Sequence, residues 1–315
     1  MMNKIPIIFS KHYDITLCGI EKLHPFDTCK YSKVYKYLCK HLALKKQNFY
    51  TPEIVSEQEL QIAHSPEYLA SLSSSANVAK IAEVKLLAMV PNMLLQNRLL
   101  NPMKYGTGGT ILGGELAMKY GWAINLSGGY HHAKASSGEG FCFFADIPIV
   151  IRKLWKKQPE LKVLIIDLDA HQGNGFEAIL QDDPRVCTFD IYNGQIYPLD
   201  ITAMKHINFD YPLASYVKDE DYLSFVQEGL QKCNQFKADL IIYNAGTDIY
   251  KKDRLGGLSV SAEGIIQRDH LVFSYAVENK IPILMLLSGG YSKDSANIIG
   301  QSLVQIYKNH LLALQ

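Results

Sequence analysis

Four short segments of this chain contain the residue types from which a hydrolytic metal site is built, and each one ends an apolar run. One contains paired histidines, two contain aspartates, and the fourth contains a tyrosine after two glycines. The segments are Gly128-Gly129-Tyr130-His131-His132, Asp167-Leu168-Asp169-Ala170-His171, Gly246-Thr247-Asp248 and Ser288-Gly289-Gly290-Tyr291. Together they suit the cleavage of an amide bond by metal-activated water.

The second segment carries polar side chains at alternate positions. If the backbone stays extended as the strand ends, Asp167, Asp169 and His171 project to the same side. Asp169 and His171 can then bind one ion together with Asp248, which leaves a position open for water, as a catalytic zinc site requires. Carboxylate ligands leave Fe²⁺ open, although we favour Zn²⁺. The alternative for such a pattern is a set of capping and loop residues beside a helix start.

Asp167 would lie next to the ligands of this ion without binding it. It can therefore orient a histidine or, with its backbone, hold a second ion such as K⁺. The adjacent histidines His131 and His132 need polar partners, because burying two imidazoles without hydrogen bonds is costly. One of them would take a proton from metal-bound water. The other would stabilise the resulting charge or protonate the amine.

Aromatic residues complete the candidate chemistry. Tyr291 would donate a hydrogen bond to the substrate carbonyl and hold the oxyanion opposite the metal. Its alternative is a core tyrosine behind a glycine turn. Phe141, which follows Gly140, and Tyr197 can flank the methylene stem of a lysine side chain, but on their own they are better assigned to the core.

Continuous apolar runs predict the strands that position these segments. Runs of this kind are buried on both faces and are typical of a parallel sheet covered by helices. The predicted strands are residues 5–9, 122–126, 163–168, 186–191, 240–244 and 281–287. The predicted helices are residues 111–120, 148–157, 176–181, 221–236, 262–278 and 295–312. Each of the four segments follows a predicted strand, and ligands bind outside the carboxyl ends of such strands.

This alternation predicts one α/β domain over residues 1–315, with a mostly parallel central sheet and helices on both faces. The 315 residues are 48% hydrophobic, which is enough for one large core. Lysine and arginine number 32 against 31 acidic residues, so no basic field indicates direct binding of nucleic acid.

Composition also bears on the compartment. The six cysteines form no CxxC pair, which argues against a disulfide scaffold and against cysteine-ligated zinc. The N-terminal segment lacks the hydrophobic region of a signal peptide, and no apolar run approaches the roughly 20 residues that span a bilayer. We therefore expect a soluble intracellular protein, with the cytoplasm as the simplest compartment. Its oligomeric state is not readable from the sequence.

With these residues assembled, the chain resembles the zinc-dependent histone deacetylase family, whose members have the arginase–deacetylase fold, and most closely its class IV branch. The resemblance covers nearly the whole chain and implies one catalytic Zn²⁺. Besides the four segments, it rests on Leu23-His24-Pro25-Phe26-Asp27, Asn125-Leu126-Ser127, Gln172-Gly173-Asn174-Gly175, Tyr243-Asn244-Ala245 and Asp253-Arg254-Leu255-Gly256-Gly257-Leu258.

The resemblance implies a role for each candidate residue. His131 matches the histidine that an aspartate orients, here Asp167. His132 matches the principal general base, and Tyr291 matches the tyrosine that stabilises the transition state. The residues that match the zinc ligands are Asp169, His171 and Asp248.

By the same resemblance, Gly140 and Phe141 match positions of a substrate tunnel, and Tyr197 falls where its opposing aromatic wall is expected. Lys30 falls where a basic residue lines a product channel beneath the metal. A possible K⁺ site would be formed by Asp167, Asp169, His171, Thr188 and Phe189.

One departure from many class I members concerns the residue that supports the second histidine. Those members have an aspartate there, whereas this chain has Asn174. An amide accepts a hydrogen bond without carrying charge, so it should lower the proton affinity of His132 relative to an aspartate-backed pair. The class IV pattern is similar, so we do not interpret the asparagine as inactivating.

The leading hypothesis is hydrolysis of N6-acyl-lysine in proteins or peptides, with the acyl group either acetyl or a longer fatty acyl. A second hypothesis is an amidohydrolase that acts on acetylpolyamines or other small molecules, because the same metal site would serve it. A third is a non-catalytic scaffold that binds acyl-lysine. The intact ligands, both histidines and Tyr291 argue against the scaffold.

Overall fold

The computed structural model describes residues 4–17 and 19–311, and a seven-stranded parallel sheet forms its centre. The strands lie in the order β1-β2-β7-β6-β3-β4-β5 across the sheet. They are β1 (Ile7–Ile8), β2 (Trp122–Asn125), β3 (Val163–Asp167), β4 (Val186–Asn193), β5 (Phe209–Leu213), β6 (Leu240–Asn244) and β7 (Ile283–Leu286).

Helices occupy most of the remaining chain. The α-helices are α1 (Lys30–His41), α2 (Glu57–Leu60), α3 (Pro66–Ser71), α4 (Ser75–Ile81), α5 (Asn92–Leu95), α6 (Asn101–Tyr120), α7 (Asp146–Trp155), α8 (Asn174–Leu180), α9 (Ile201–Met204), α10 (Asp219–Cys233), α11 (Ala262–Glu278) and α12 (Ser295–Ile306). Short 3₁₀ or π turns lie at Lys11–Tyr13, Ile20–Leu23, Lys46–Asn48, Lys85–Met89, Gln96–Leu100 and Tyr307–Leu311.

Both faces of the sheet are buried, as the continuous apolar runs predict. Successive residues of a strand point to opposite faces, and β3 shows the result. Leu164 and Ile166 belong to an apolar cluster that includes residues of α1, α10, α11 and α12. Val163 and Ile165 belong to another, with residues of α6, α7 and α8. The predicted fold class, a mostly parallel sheet covered by helices on both faces, is confirmed.

A third apolar cluster lies away from the sheet. Most of its members come from the segment between residues 55 and 103, which contains α2 to α5 and which we call the helical layer. They pack against residues of two loops near the carboxyl ends of the strands, including Tyr130 and Phe143. The helical layer therefore closes one side of the region where the four segments meet.

Several elements differ from the prediction. Helices α1 to α5 and α9 were not predicted, and strand β5 and the start of helix α6 also differ. Strand β5 was missed because it is a half-exposed edge strand that contains Pro212, and proline is tolerated only at such edges. Helix α6 begins at residue 101 instead of 111, and its first half is rich in glycine. A Cβ at Gly109 would lie 2.1 Å from the Tyr13 hydroxyl, so glycine permits close packing there. None of the helices within residues 4–17 and 19–311 has the length and apolarity that a bilayer crossing requires.

Candidate metal centre and active site

The four segments follow β2, β7, β6 and β3, which are neighbours in the sheet. Parallel strands present their carboxyl ends at the same edge, so the four loops converge there. Backbone hydrogen bonds tie the loops to one another. The Ser288 N–H donates to the Gly128 carbonyl at 3.1 Å, and the Gly175 N–H donates to the His131 carbonyl at 2.8 Å. The convergence that we predicted from the order of strands and motifs is present.

Asp169, His171 and Asp248 form a buried cluster in which one donor atom of each residue lies within 4.8 Å of the others. His171 Nδ1 is 3.1 Å from Asp169 Oδ1 and 3.0 Å from Asp248 Oδ2. Burial and the neighbouring Asp169 raise the pKa of Asp248 to about 7. Burial lowers the pKa of His171, but its two carboxylate partners outweigh burial and raise it to about 10. Negative charge concentrated in this way favours a cation.

Two glycines allow the loops to approach the Asp169 carboxylate. A Cβ at Gly246 would lie 2.1 Å from Asp169 Oδ2, and one at Gly289 would lie 2.6 Å from that oxygen. The Gly289 N–H and the Ser288 hydroxyl each donate to Asp169 Oδ2 at 2.9 Å. Because a side chain at either glycine would displace the carboxylate, the glycines help to define the position of this donor.

The two histidines have different supports. His131 Nδ1 lies 2.8 Å from Asp167 Oδ2, and Asn244 Nδ2 donates to the other oxygen of Asp167 at 3.0 Å. Burial lowers the pKa of His131, but the Asp167 and Asp169 carboxylates outweigh burial and raise it to about 9. His131 is therefore suited to carry positive charge, held in place by a fixed carboxylate.

The support of His132 is an amide. Its Nδ1 lies 2.8 Å from Asn174 Oδ1, at the start of α8. Burial and the neighbouring His131 and His171 lower the pKa of His132 well below the usual value. A buried imidazole that stays neutral and whose Nδ1 is occupied can use Nε2 as a proton acceptor.

The loop after β7 positions Tyr291. Asp253 Oδ2 accepts hydrogen bonds from the Tyr291 N–H at 2.6 Å and from the Ser292 N–H at 3.0 Å. The Tyr291 ring lies edge-on to His171 and Phe141, with centroid distances of 6.2 and 5.9 Å. Burial and the nearby carboxylates raise the pKa of its phenol well above 10. The hydroxyl therefore stays protonated and is available as a donor near the buried cluster of Asp169, His171 and Asp248.

Aromatic side chains surround the approach to this centre. Gly140 and Phe141 both have positive φ values, 53° and 66°, and a Cβ at Gly140 would lie 2.4 Å from the His132 ring. Tyr197 lies on the other side of His132, with ring centroids 5.2 Å apart, and 42% of it is exposed. The structure thus brings Gly140, Phe141 and Tyr197 next to the histidines.

A largely apolar cavity extends from this centre towards the helical layer, and its volume is about 850 Å³ when the open solvent at its mouth is included. Its polar end contains His131, His132 and Tyr291. Its apolar end is lined by side chains that include Ile15, Leu17, Val84, Leu87, Leu99 and Met103. A cavity with this apolar lining suits an apolar group attached to the carbonyl carbon of the amide that is cleaved.

Comparison with known proteins places this geometry in a family. The histone deacetylase domain matches residues 24–306. Histone deacetylase 2 of Arabidopsis thaliana is 45% identical over 312 residues, which cover 99% of this chain and 81% of the relative. The chain belongs to the histone deacetylase family. Human histone deacetylase 1 is a more distant relative, 27% identical over 85% of this chain and 58% of its own.

Two solved structures have the same fold as this chain. A histone deacetylase homologue in complex with SAHA superimposes with a TM-score of 0.74 at 18% identity, covering 97% of this chain and 83% of the homologue. Acetylpolyamine aminohydrolase from Burkholderia pseudomallei superimposes with a TM-score of 0.75 at 14% identity, covering 98% of each chain. The resemblance to the family and the predicted arginase–deacetylase fold are confirmed.

One further predicted position, Lys30, lies beside the candidate centre. Lys30 is fully buried, and its Nζ donates to the Ser288 carbonyl at 2.7 Å and to the Gly289 carbonyl at 3.0 Å. Burial lowers the pKa of Lys30 to about 8. The lysine thus holds the turn that carries Gly289, and its role in a product channel stays a prediction.

The predicted K⁺ residues Thr188 and Phe189 lie on β4, next to β3. The carboxylate in register with Asp167 is Asp190, one residue further along. Asp190 Oδ2 accepts from the Gly173 N–H at 2.9 Å, whereas Oδ1 is buried without a partner among the described residues. Asp190 was not among the predicted site residues, although an acidic residue that interrupts the apolar run of a central strand is a visible signal.

Two other residues that position the loops of the site were also missed. Asp146 is buried and accepts hydrogen bonds from the N–H groups of Gly129 and Tyr130, both at 2.9 Å, so it shapes the loop of the two histidines. Arg268 is buried on α11 and donates to the Gly246 carbonyl at 2.6 Å and to the Leu168 carbonyl at 3.1 Å. It thereby links the loop that carries Asp169 to the loop that carries Asp248. Neither residue belongs to a motif that we singled out.

Proposed function

We propose that this histone deacetylase family hydrolase removes acyl groups from N6 of lysine in proteins or peptides and releases lysine and a carboxylate. One observation carries the proposal. A buried donor set of two carboxylates and one imidazole faces two histidines, one backed by a carboxylate and the other by an amide. Acyl transfer to water needs these parts: a cation site, a neutral base and a second imidazole that bears charge.

The donor set fits a zinc ion. Asp169, His171 and Asp248 offer two oxygens and one nitrogen within a short distance, and three protein ligands are typical of catalytic zinc. When bound, zinc would polarise the acyl carbonyl and lower the pKa of a water molecule. The unpartnered Oδ1 of Asp190 supports a second, monovalent cation behind Asp167, which we retain as part of the proposal.

The remaining residues divide the work of proton transfer. Neutral His132 would accept a proton from the attacking water at Nε2, because its Nδ1 is bound to Asn174. His131, whose pKa the Asp167 carboxylate raises, would hold positive charge next to the reacting atoms. The Tyr291 hydroxyl would donate to the acyl oxygen, and such a donor is worth about 10²–10³ in turnover.

The cavity bears on the length of the acyl group. An acetyl group would leave its apolar end unfilled, whereas a fatty acyl chain would bury its methylenes against side chains such as Leu99 and Met103. Each buried methylene contributes about 0.8 kcal/mol. The cavity therefore supports the longer acyl groups among the substrates we considered, in keeping with the proposed class IV assignment.

Hydrolysis of acetylpolyamines is the second candidate, favoured by the likeness to a bacterial acetylpolyamine aminohydrolase. It predicts a preference for small cationic amides with a short acyl group. The short acetyl group of such a substrate would leave the apolar lining of the cavity unfilled, so the cavity favours a longer acyl chain over an acetylpolyamine.

The test compares purified, zinc-loaded protein on peptides with acetyl-lysine, octanoyl-lysine and tetradecanoyl-lysine and on N-acetylspermidine. We expect turnover of the peptides, fastest for the long acyl groups and at least about tenfold above the polyamine. A chelator should remove the activity and zinc should restore it. Inactivity on all three peptides with metal bound would contradict the proposal, and activity on the polyamine alone would establish the second candidate.

A further inference from the structure

We propose that Glu139 is a positioning residue for His132, acting through the Asn174 amide. This inference rests on the proposed function. Asn174 lies between the two: Oδ1 is 2.8 Å from His132 Nδ1, and Nδ2 donates to Glu139 Oε1 at 2.6 Å. The loop therefore supplies, one hydrogen bond further out, the negative charge that an aspartate at position 174 would place directly on the imidazole.

The carboxylate determines which end of the amide faces the histidine. An ionised carboxylate only accepts hydrogen bonds, so the end of Asn174 next to Glu139 must be the NH₂ group. The carbonyl oxygen then faces His132 Nδ1, which must carry the hydrogen. Nε2 is left with its lone pair directed at the reacting atoms. If the amide were turned over, its NH₂ group would donate to Nδ1, and the proton would move to Nε2, where it blocks the base.

Other charged side chains hold Glu139 in place. Lys134 Nζ lies 3.1 Å from Glu139 Oε1 and 3.0 Å from Asp200 Oδ2. Asp200 caps the start of α9 and is also 3.5 Å from Asn174 Nδ2. The carbonyl of Glu139 accepts a hydrogen bond from the Cys142 N–H, in the turn that contains Gly140 and Phe141. Two acids and one lysine therefore leave a net negative charge beside the amide.

A plain surface ion pair is the competing explanation, because 34% of the Glu139 side chain and 27% of the Lys134 side chain are exposed. Exposed pairs contribute little to stability and nothing to a catalytic step. The two explanations differ in what happens when the charge is moved from position 139 to position 174.

The first experiment is this charge exchange, measured as kcat and KM on an acyl-lysine peptide. Asn174→Asp alone places its carboxylate within hydrogen-bonding distance of the Glu139 carboxylate. Glu139→Gln alone removes the charge that fixes the orientation of the Asn174 amide. Each single variant should therefore lower kcat about tenfold or more. In the double variant, the introduced aspartate accepts a hydrogen bond from His132, and the amide of the introduced glutamine donates to that aspartate. We expect kcat within about threefold of the wild type and KM unchanged in every variant.

The matched control is Glu59→Gln, which removes another partly exposed carboxylate that pairs with a lysine, Lys153. It should leave kcat unchanged. A double variant whose kcat falls to the product of the two single effects would overturn the proposal, as would equal losses in Glu59→Gln and Glu139→Gln. Thermal unfolding of all variants separates loss of folding from loss of turnover.

A second readout does not depend on the substrate. Nitrogen-15 NMR of histidine-labelled, zinc-loaded protein distinguishes the two tautomers, and the His132 signals are assigned with a His132→Gln sample. We expect hydrogen on Nδ1 in the wild type and a mixture of tautomers in Glu139→Ala. Hydrogen on Nε2 in the wild type contradicts the proposal. If the expected tautomers are observed but the protein is inactive on every acyl-lysine peptide, the proposed function is overturned. The positioning of His132 by Glu139 would still stand.

Discussion

The edge of the sheet and the helical layer both line the same cavity and differ in composition. At the sheet edge, buried polar groups meet specific partners: Asp169 accepts from Ser288 and Gly289, and His131 is held by Asp167. The cavity wall from the helical layer consists of aliphatic side chains such as Leu87 and Leu99. Buried charge is tolerated only when it is paired, whereas apolar surface needs no particular partner.

This difference separates the chemistry from the selection of the acyl group. A change of one atom at the sheet edge leaves a buried donor or acceptor without its partner. A change of side-chain volume in the helical layer alters only the room for the acyl group, because aliphatic walls can repack. We therefore expect substitutions at the sheet edge to affect all substrates equally and substitutions in the helical layer to discriminate by acyl length.

The largest effect is expected for Asp169→Asn at the sheet edge. The amide offers the metal a single neutral oxygen, and its NH₂ group would oppose the donors of Ser288 and Gly289. Metal content measured by mass spectrometry should fall from about one ion per chain towards zero, and hydrolysis should fall to background for every acyl length. The control is Asp294→Asn, a half-exposed aspartate before α12. Full metal content in Asp169→Asn would exclude Asp169 as a ligand.

Tyr291→Phe should have the next largest effect. The ring and its contacts remain, and only the donor to the acyl oxygen is lost, so kcat should fall about 10²–10³-fold. Metal content should be unchanged. The matched control is Tyr216→Phe, because Tyr216 is largely exposed and does not line the cavity. Binding of a partner protein by both the wild type and the variant, with no turnover in either, would instead support the scaffold that we considered from the sequence.

The same two regions differ in how well the sequence predicts them. The sheet edge was predictable because chemistry and topology coincide there: apolar runs indicate strands, and the residues that follow them include His131, Asp169 and Asp248. Glycines required by close approach, such as Gly246 and Gly289, mark the same places. The candidate metal ligands could thus be proposed from the motifs, and the contacts of His131 with Asp167 and of His132 with Asn174 from the family resemblance.

The helical layer escaped prediction because its helices are short and it is held by contacts from elsewhere in the chain. Helix α5 has four residues, and helices of this length depend on tertiary packing. Charged residues that act at a distance were missed for a related reason. The roles of Asp146 and Arg268 depend on hydrogen bonds with the backbone of the loops at the candidate site, and these bonds form only when the chain folds. Periodicity and motif spacing contain no information about such partners.

Met103→Trp sharpens the comparison from the side of the helical layer. Met103 lies on α6 and lines the apolar end of the cavity, so a larger side chain should exclude a long acyl chain and spare acetyl. The kcat/KM for tetradecanoyl-lysine peptide should fall about 10–100-fold relative to acetyl-lysine peptide. Met93→Trp is the matched control, because Met93 is 77% exposed. Equal losses for both acyl groups would show that the two regions are not separable.

The smallest effect is expected from the pH dependence of stability, and it concerns His64 in the helical layer. His64 is buried, and its Nε2 accepts a hydrogen bond from the Ala145 N–H at 2.8 Å. Burial lowers the pKa of His64 to about 4, against about 6.5 in the unfolded chain. The unfolded chain therefore takes up this proton first as the pH falls. The stability that depends on neutral His64 is present above pH 6.5 and is lost towards pH 4.

His64→Gln isolates this contribution, because the glutamine carbonyl can accept the same hydrogen bond without titrating. Between pH 6.5 and pH 5 the wild type should lose about 1.4 kcal/mol per pH unit relative to the variant, measured by denaturant unfolding. Above pH 7 the difference between the two proteins should be constant. Parallel stability curves from pH 7 to pH 5 would mean that His64 is accessible to protons in the folded protein. The helical layer would then be less tightly closed than its aliphatic packing indicates.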